Sequence, residues 1–478
     1  MPRAIVLNKT LKSNLIYGLG SIANSAALFL LVPYLVNNLS PSEFGVWSII
    51  EITVMILTLF ISAGLDVGLM REYWVITDEQ ARATLAGTVL IAIVVWGIIL
   101  FTLLSVFSYL TNLHYYFHVS WSVVLLVLPV AYVETLFLFT LNLFRIREDP
   151  VKFVFLSIGR LLLFMGGAIV LVKIGYGLIG AITGRFIAGI VAMIVGLILC
   201  RRALSLHFNP TIFRKVAMYG LPLVPMNLAA YILLSSDRYF LQHYYSASIV
   251  GIYAFTYKIV SIFDVLVNRP FALDWAPRRF KIATLINAQQ RYSEVLLIYL
   301  LVSMGCILII ISISPLIYRF LAPSIYAAGA SVLPVLLLAA LLYGLSYPLN
   351  IGIVIKDKTS YAAIIGIAAA GFCLLLNYWL IPRYGMLGAA WSTVFSYLLW
   401  TGAMTVTSMQ LYPILYPKRK ILMIIGISII SYVGIYFSDR ILGDYFVETI
   451  ILRLVFLTIL FGTLTIILIR RFLKPAIN

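Results

Sequence analysis

Apolar runs of about twenty residues, parted by short polar breaks, recur along the whole chain. Read by length and hydropathy, they predict helices at about 15–36, 44–65, 85–110, 119–143, 153–172, 177–200, 216–242, 249–268, 295–317, 327–355, 359–381, 384–409, 421–437 and 450–469, fourteen in all. The runs lack the apolar/polar alternation at every second position that barrel strands show. Hydrocarbon cannot satisfy peptide groups, so helices are the remaining way to cross a bilayer. The expected fold class is all-α integral membrane, with about fourteen transmembrane helices. Leu15 to Val36 is already long enough to span and no small-residue cleavage site follows it, so this helix is expected to stay rather than be removed as a signal.

Composition agrees with this reading. Of 478 residues, 63% are hydrophobic and 11% charged, which excludes a soluble globular domain. Cys200, Cys306 and Cys373 fall in or at the edge of predicted spans and read as packing residues, not as a disulfide framework or a metal cluster. No metal or cofactor is expected. The net charge of +17 could suggest nucleic acid, but its distribution gives another account. With the N-terminus in the cytoplasm, 24 of the 34 Lys and Arg fall in segments on that side, and five (Lys173, Arg319, Arg383, Arg440 and Arg453) fall opposite. Such an asymmetry, alternating loop by loop, is an orientation signal. It places both termini in the cytoplasm and leaves no need for a nucleic-acid partner.

A repeat divides the chain. "YGLIGA" from Tyr176 and "YGMLGA" from Tyr384 lie 208 residues apart, and "YGL" at Tyr17 recurs at Tyr219, 202 residues on. "SPSEFGVWSI" from Ser40 and "YSASIVGIYAF" from Tyr245 follow at a similar offset. Six helices separate the copies, so both halves enter the membrane in the same sense. The expected domains are a six-helix lobe at 1–205, a parallel six-helix lobe at 206–415 with a cleft between the two, and two extra helices at 416–478 after the basic hinge "YPKRK".

Five basic residues remain after the loops are counted: Arg160, Arg185, Arg238, Lys258 and Arg269. A charge at mid-bilayer costs at least about 2.5 kcal/mol, so such residues face a wet cavity or a partner. Lys258 lies about 15 Å into its helix, near the midplane, and Arg269 sits eleven residues on, within about 20° of the same face. Asn227, Tyr231 and Arg238 share a face of the seventh predicted helix, and Tyr17 and Asn24 a quadrant of the first. Asp237, beside Arg238, could orient that arginine or face a neighbouring helix. Together with Asp264 and Asp66 it is a candidate for gating or coupling. Arg71 and Asp66, in "GLDVGLMREYW", read either as the cavity's inner rim or as an interfacial anchor. Blander readings stand beside these: Arg238 and Arg269 could snorkel to headgroups, and Arg160 and Arg185 could pair with Glu51 or Glu134 for structure alone. His114 and His118 in "HYYFH" read as part of an interfacial aromatic belt. "RPFALDWAPRRFKIATLINAQQ" from Arg269 reads as a cytoplasmic surface element lying along the headgroups.

Arginine and lysine suit phosphates, while tyrosine and asparagine suit hydroxyl-rich sugars. Neither a Walker motif nor a loop long enough for a hydrolytic site is present, so the driving force must come from outside the chain. "YGLPLVPMNLAAYILLSSDRYFLQHYYSASIVGIYAFTYKI" from Tyr219, "LSPSEFGVWS" from Leu39 and "YGMLGAAWSTVFSYLLW" from Tyr384 resemble recurring segments of the polysaccharide repeat-unit flippases of Wzx type. The resemblance implies a fold similar to the multidrug and toxin extrusion (MATE) proteins, and a bacterial inner-membrane protein that is not an enzyme. It also implies a cargo, a polyprenyl-diphosphate-linked oligosaccharide turned to the outer leaflet by alternating access for O antigen, capsule or exopolysaccharide assembly. Membrane lipids and the pathway's polymerase and glycosyltransferases are the implied partners. By matching position, Arg71, Arg238, Lys258 and Arg269 are the cations that the resemblance carries over. Two rivals stand: an ion-coupled exporter of small molecules, which favours an acid in the first helix where residues 13–42 have none, and a membrane glycosyltransferase or polymerase, which needs larger outer loops.

Overall fold

The computed structural model describes residues 30–111, 121–442 and 453. Tyr17, Asn24, His114, His118 and the last predicted helix lie outside the described residues, as does most of the first, of which 30–38 are helical. The described chain is helical, with ten helical segments long and apolar enough to cross a membrane. Two of these, 150–203 and 359–411, each hold two of the predicted spans. The chain divides into two compact units, residues 1–251 and 252–478.

In the first unit, α1 (Pro41–Ser62) starts from a reciprocal cap written in "SPSE": the Ser40 hydroxyl accepts from the Glu43 N–H, and the Glu43 carboxylate accepts from the Ser40 N–H at 2.9 Å. Ala63 and Gly64, both at positive φ, end it. A short α2 (Leu65–Val75) follows, so Asp66 and Arg71 stand on a helix of their own rather than on the end of α1. Next come α3 (Glu79–Leu110), α4 (Trp121–Ile146), α5 (Pro150–Leu171) and α6 (Gly177–Cys200). Helices α5 and α6 meet where Gly167 and Gly184 leave no room for side chains between them. The seventh predicted helix is two pieces, α7 (Pro210–Gly220) and α8 (Leu223–Tyr244), set apart at Leu221 and Pro222. Gly45 of α1 and Gly251, 206 residues apart, make a reciprocal contact: a Cβ on either would overlap a backbone carbonyl, of Ala247 or of Pro41.

In the second unit, α9 (Ala247–Phe263) begins just before the division and passes through a π turn at Asp264–Asn268 into α10 (Arg269–Ala283). The segment from Arg269, expected to lie along the headgroups, is helical as far as Ala283. Trp275 and Ile282, seven residues apart and so on one face, bury against Ala288, Tyr292, Ile351 and Ile414, and the Trp275 indole donates to the Tyr347 carbonyl at 2.9 Å. Beyond lie α11 (Ala288–Leu321), α12 (Leu333–Leu349), the short α13 (Ile351–Ile355), α14 (Thr359–Leu411, bent at Gly385) and α15 (Lys418–Leu442). Ile424 and Ile435 seat α15 on α11 through Leu296, Leu300 and Leu308.

The repeat appears in backbone angles. Gly177 has φ 49° and ψ −132°, and Gly385 has φ 55° and ψ −130°. This conformation is closed to a residue with a Cβ and open to glycine, and the two tight turns of "YGLIGA" and "YGMLGA" are built on it.

Candidate functional site

Three groups of charges in the first unit involve the residues singled out in sequence. On α8, Asp237 is 2% and Arg238 7% exposed, so the arginine is buried and not extended to the surface. An Asp237 carboxylate oxygen accepts the Arg238 backbone N–H at 2.9 Å, and the Arg238 guanidinium reaches the Leu234 carbonyl at 3.5 Å. The next residue, Tyr239, exchanges a hydroxyl hydrogen bond with Thr53 of α1 at 2.8 Å. Asn227 and Tyr231 lie further along α8, both half-buried.

On α2 the guanidinium of Arg71 stacks over the Tyr219 ring at 4.3 Å. Asp66, in the first turn of the same helix, is pushed above the ordinary carboxyl range by burial, and the backbone N–H groups of Val67 and Asp66 only partly offset this.

The third group joins α4, α5 and α6. Glu134 accepts from Arg160, and Arg185 approaches the same carboxylate oxygen at 3.5 Å. All three side chains are between 13% and 19% exposed. Arg160 also lies over the Phe137 ring at 4.6 Å. Of the two alternatives open in sequence, Glu134 is the carboxylate seen with these arginines.

In the second unit, Lys258 is half-buried on α9, and Ser261 donates to its carbonyl at 2.6 Å. Asp264 and Arg269 meet across the π turn at 2.8 Å, a five-residue separation that suits the wider turn. The Arg269 side chain is 58% exposed. Asn268, at the end of the turn, points inward: its side chain donates to the Ala340 carbonyl and accepts from the Tyr299 hydroxyl at 2.7 Å. Gly344 leaves room for that pair, since a Cβ there would overlap both side chains. Tyr343 and Tyr347 of α12 join hydroxyls at 3.1 Å, and Tyr343 stacks on Trp400 with ring centroids 5.6 Å apart. The indole N–H of Trp400 is buried with no hydrogen-bond partner among the described residues. The Asp264–Arg269 pair thus lies at the same π turn as an amide that meets α11 and α12.

Sequence reasoning singled out Lys258, Asp264 and Arg269 but missed Asn268, Tyr299, Tyr343, Tyr347 and Trp400. Asn268, a lone amide at the end of an apolar run, was the available signal. The tyrosines carry none, because aromatic residues are common throughout this chain.

A family model described as "Polysaccharide biosynthesis protein" matches residues 10–283, more than half of the chain. The chain belongs to that family. The fold of this polysaccharide biosynthesis protein is similar to that of a solved "Lipid II flippase MurJ, inward closed conformation", with a TM-score of 0.78 at 13% identity over 96% of this chain and 100% of that one. It is also similar to "a multidrug resistance MATE family transporter of the MOP superfamily" in its inward-facing conformation, with a TM-score of 0.56 at 14% identity over 83% of this chain and 95% of that one. A "MATE in complex with MaL6" gives 0.55 at 13% identity, over 84% and 95%. No curated protein matches the chain. These likenesses show the fold, and with the ten apolar segments they establish a multi-pass membrane protein of the flippase and transporter architecture.

Proposed function

We propose that the protein flips a polyprenyl-diphosphate-linked oligosaccharide repeat unit from the cytoplasmic to the outer leaflet of a bacterial inner membrane. The product would feed O antigen, capsule or exopolysaccharide assembly. The observation that carries the reading is the cluster around the π turn, in a family described by polysaccharide biosynthesis and with a fold shared with a lipid flippase. Lys258 and Arg269 suit a diphosphate, whose desolvation needs charge-assisted hydrogen bonds. The half-buried hydroxyls of Tyr343 and Tyr347 offer donors and acceptors of the kind that sugar hydroxyls use. Asp264 holds Arg269 until an arriving phosphate competes for it. Arg238 beside Asp237, and Arg71 over Tyr219, offer further cations for later stages of passage, with Asn227, Tyr231, Tyr17 and Asn24 as polar contacts.

The moving bodies in this reading are the repeat halves 1–205 and 206–415, working by alternating access, with 416–478 as an added pair of helices. The polymerase and glycosyltransferases of the pathway are the proposed partners. A small-molecule exporter of this fold would draw on an acid in the first helix, and residues 13–42 contain none.

Lys258→Glu tests the reading. In cells where the variant inserts at the normal level, glycan export should stop and the lipid-linked repeat unit should accumulate on the cytoplasmic face. Undiminished export from that variant would sink the assignment.

A further inference from the structure

A cavity of about 620 Å³ opens on the first unit, walled almost wholly by carbon. Its walls come from the end of α1 and the start of α2 (Phe60, Leu65), from α3 (Ile91, Val95, Trp96, Ile99), and from Phe208 and the α7–α8 bend (Phe213, Leu221). That size is within the range of sites that bury a ligand.

The groove is held open by contacts at its base. Gly64 and Gly220 touch backbone to backbone, and Gly68 takes the Val216 carbonyl and side chain, which brings α2 and α7 together. Gly87 meets the Ser205 carbonyl, which fixes α3 to the chain just before α7. The Trp96 indole donates to the Phe60 carbonyl at 3.0 Å and pins the far wall. Between these contacts the elements diverge, with the small side chains of Ala92 and Ala217 as the buried floor. Val95, Trp96, Ile99, Phe208 and Leu221 are each at least 40% exposed, so the mouth is apolar too. From Ile91 to Ile99 the wall covers about 12 Å of helix, close to the hydrocarbon depth of one leaflet.

Exposed cations adjoin the groove's lining in sequence. Arg214 and Lys215 directly follow Phe213 on α7 and are exposed, and Arg201 and Arg202 end the preceding helix, also exposed. We infer that this groove is a binding site for one anionic phospholipid, its acyl chain lying along α3 and its phosphate at Arg214 and Lys215. Hydrocarbon walls of single-leaflet depth match the chain, and the cations that follow Phe213 on α7 match the headgroup. The site is independent of the cargo that the protein moves.

The test uses the full-length protein in detergent, exposed in turn to phosphatidylglycerol, phosphatidylcholine and polyprenol, with retained lipid counted by native mass spectrometry. The wild type should retain one phosphatidylglycerol in preference to phosphatidylcholine. Ala92→Phe, which fills the floor, and Val95→Trp, which narrows the exposed mouth with little call on the packing, should both lose it. Arg214→Glu with Lys215→Glu should weaken phosphatidylglycerol retention by roughly thirty-fold while leaving phosphatidylcholine unchanged. Equal retention of the two phospholipids by the wild type, or unchanged retention in both Val95→Trp and the double charge reversal, would overturn the site. Polyprenol held more tightly than phosphatidylglycerol, and insensitive to the charge reversal, would overturn the choice of occupant.

Discussion

At the scale of single residues, what a charge does here depends on what surrounds it. Glu134 draws Arg160 and Arg185 to one carboxylate, leaving one positive charge in excess at a site where removal of the acid would strand two cations. Asp66 shows the opposite balance, with burial outweighing the hydrogen bonds that favour its ionised form. Its raised pKa means that the folded chain holds the proton more tightly than the unfolded chain does. The resulting stability is complete below the ordinary carboxyl value of about 3.9 and is lost as pH rises through the folded value. Thermal midpoints in detergent should therefore fall between about pH 4 and pH 7 by more in the wild type than in Asp66→Asn, and the variant should be the more stable of the two at pH 7. Parallel pH profiles would show that Asp66 does not carry this linkage. That Asp66 is acidic and near an apolar run was plain from sequence. Its burial was not, because it depends on the break at Ala63 and Gly64 that starts a new helix.

At the scale of elements, the helices follow from apolar runs, while their interruptions follow from a few residues. The two glycines of the repeated turns adopt the same angles 208 residues apart, which explains why "YG" recurs at both places. Gly385→Ala should cost about 1–3 kcal/mol through backbone strain alone, read as a lowered unfolding midpoint in detergent, and Gly177→Ala should do the same. Gly402→Ala is the control, since a Cβ there meets open space inside a helix, and it should leave the midpoint unchanged or raise it slightly. The continuation of α9 into α10 was less legible. Prolines at 270 and 277 and a basic cluster suggest a surface element, but Pro270 is tolerated early in α10, and Trp275 and Ile282 supply a buried face only once α11 and α13 are beside them. The π turn was invisible from periodicity, although it sets Asp264 against Arg269 and turns Asn268 inward.

At the scale of the whole molecule, charge placement sets orientation. If the basic segments are cytoplasmic, a cysteine at Ser246, in the exposed turn between α8 and α9, should react with an impermeant maleimide on intact cells. A cysteine at Lys356, exposed in the turn before α14, should react only after the cells are opened. These substitutions belong in a background where Cys200, Cys306 and Cys373 are replaced, so that each signal reports one site. The reverse labelling pattern would invert the topology and, with it, the direction of transport.

Sequence alone determined that the chain is helical and membrane-embedded, and roughly where its spans lie. Those properties are carried by hydropathy, length and spacing, which do not depend on distant residues. Tertiary structure decided which acid meets Arg160 and Arg185, that Asn268 and Tyr299 form a buried pair, and that α2, α3 and α7 leave an apolar groove between them. Those outcomes depend on close approach between segments far apart in the chain, and helix periodicity gives the face of a residue but not the neighbour that the face will meet.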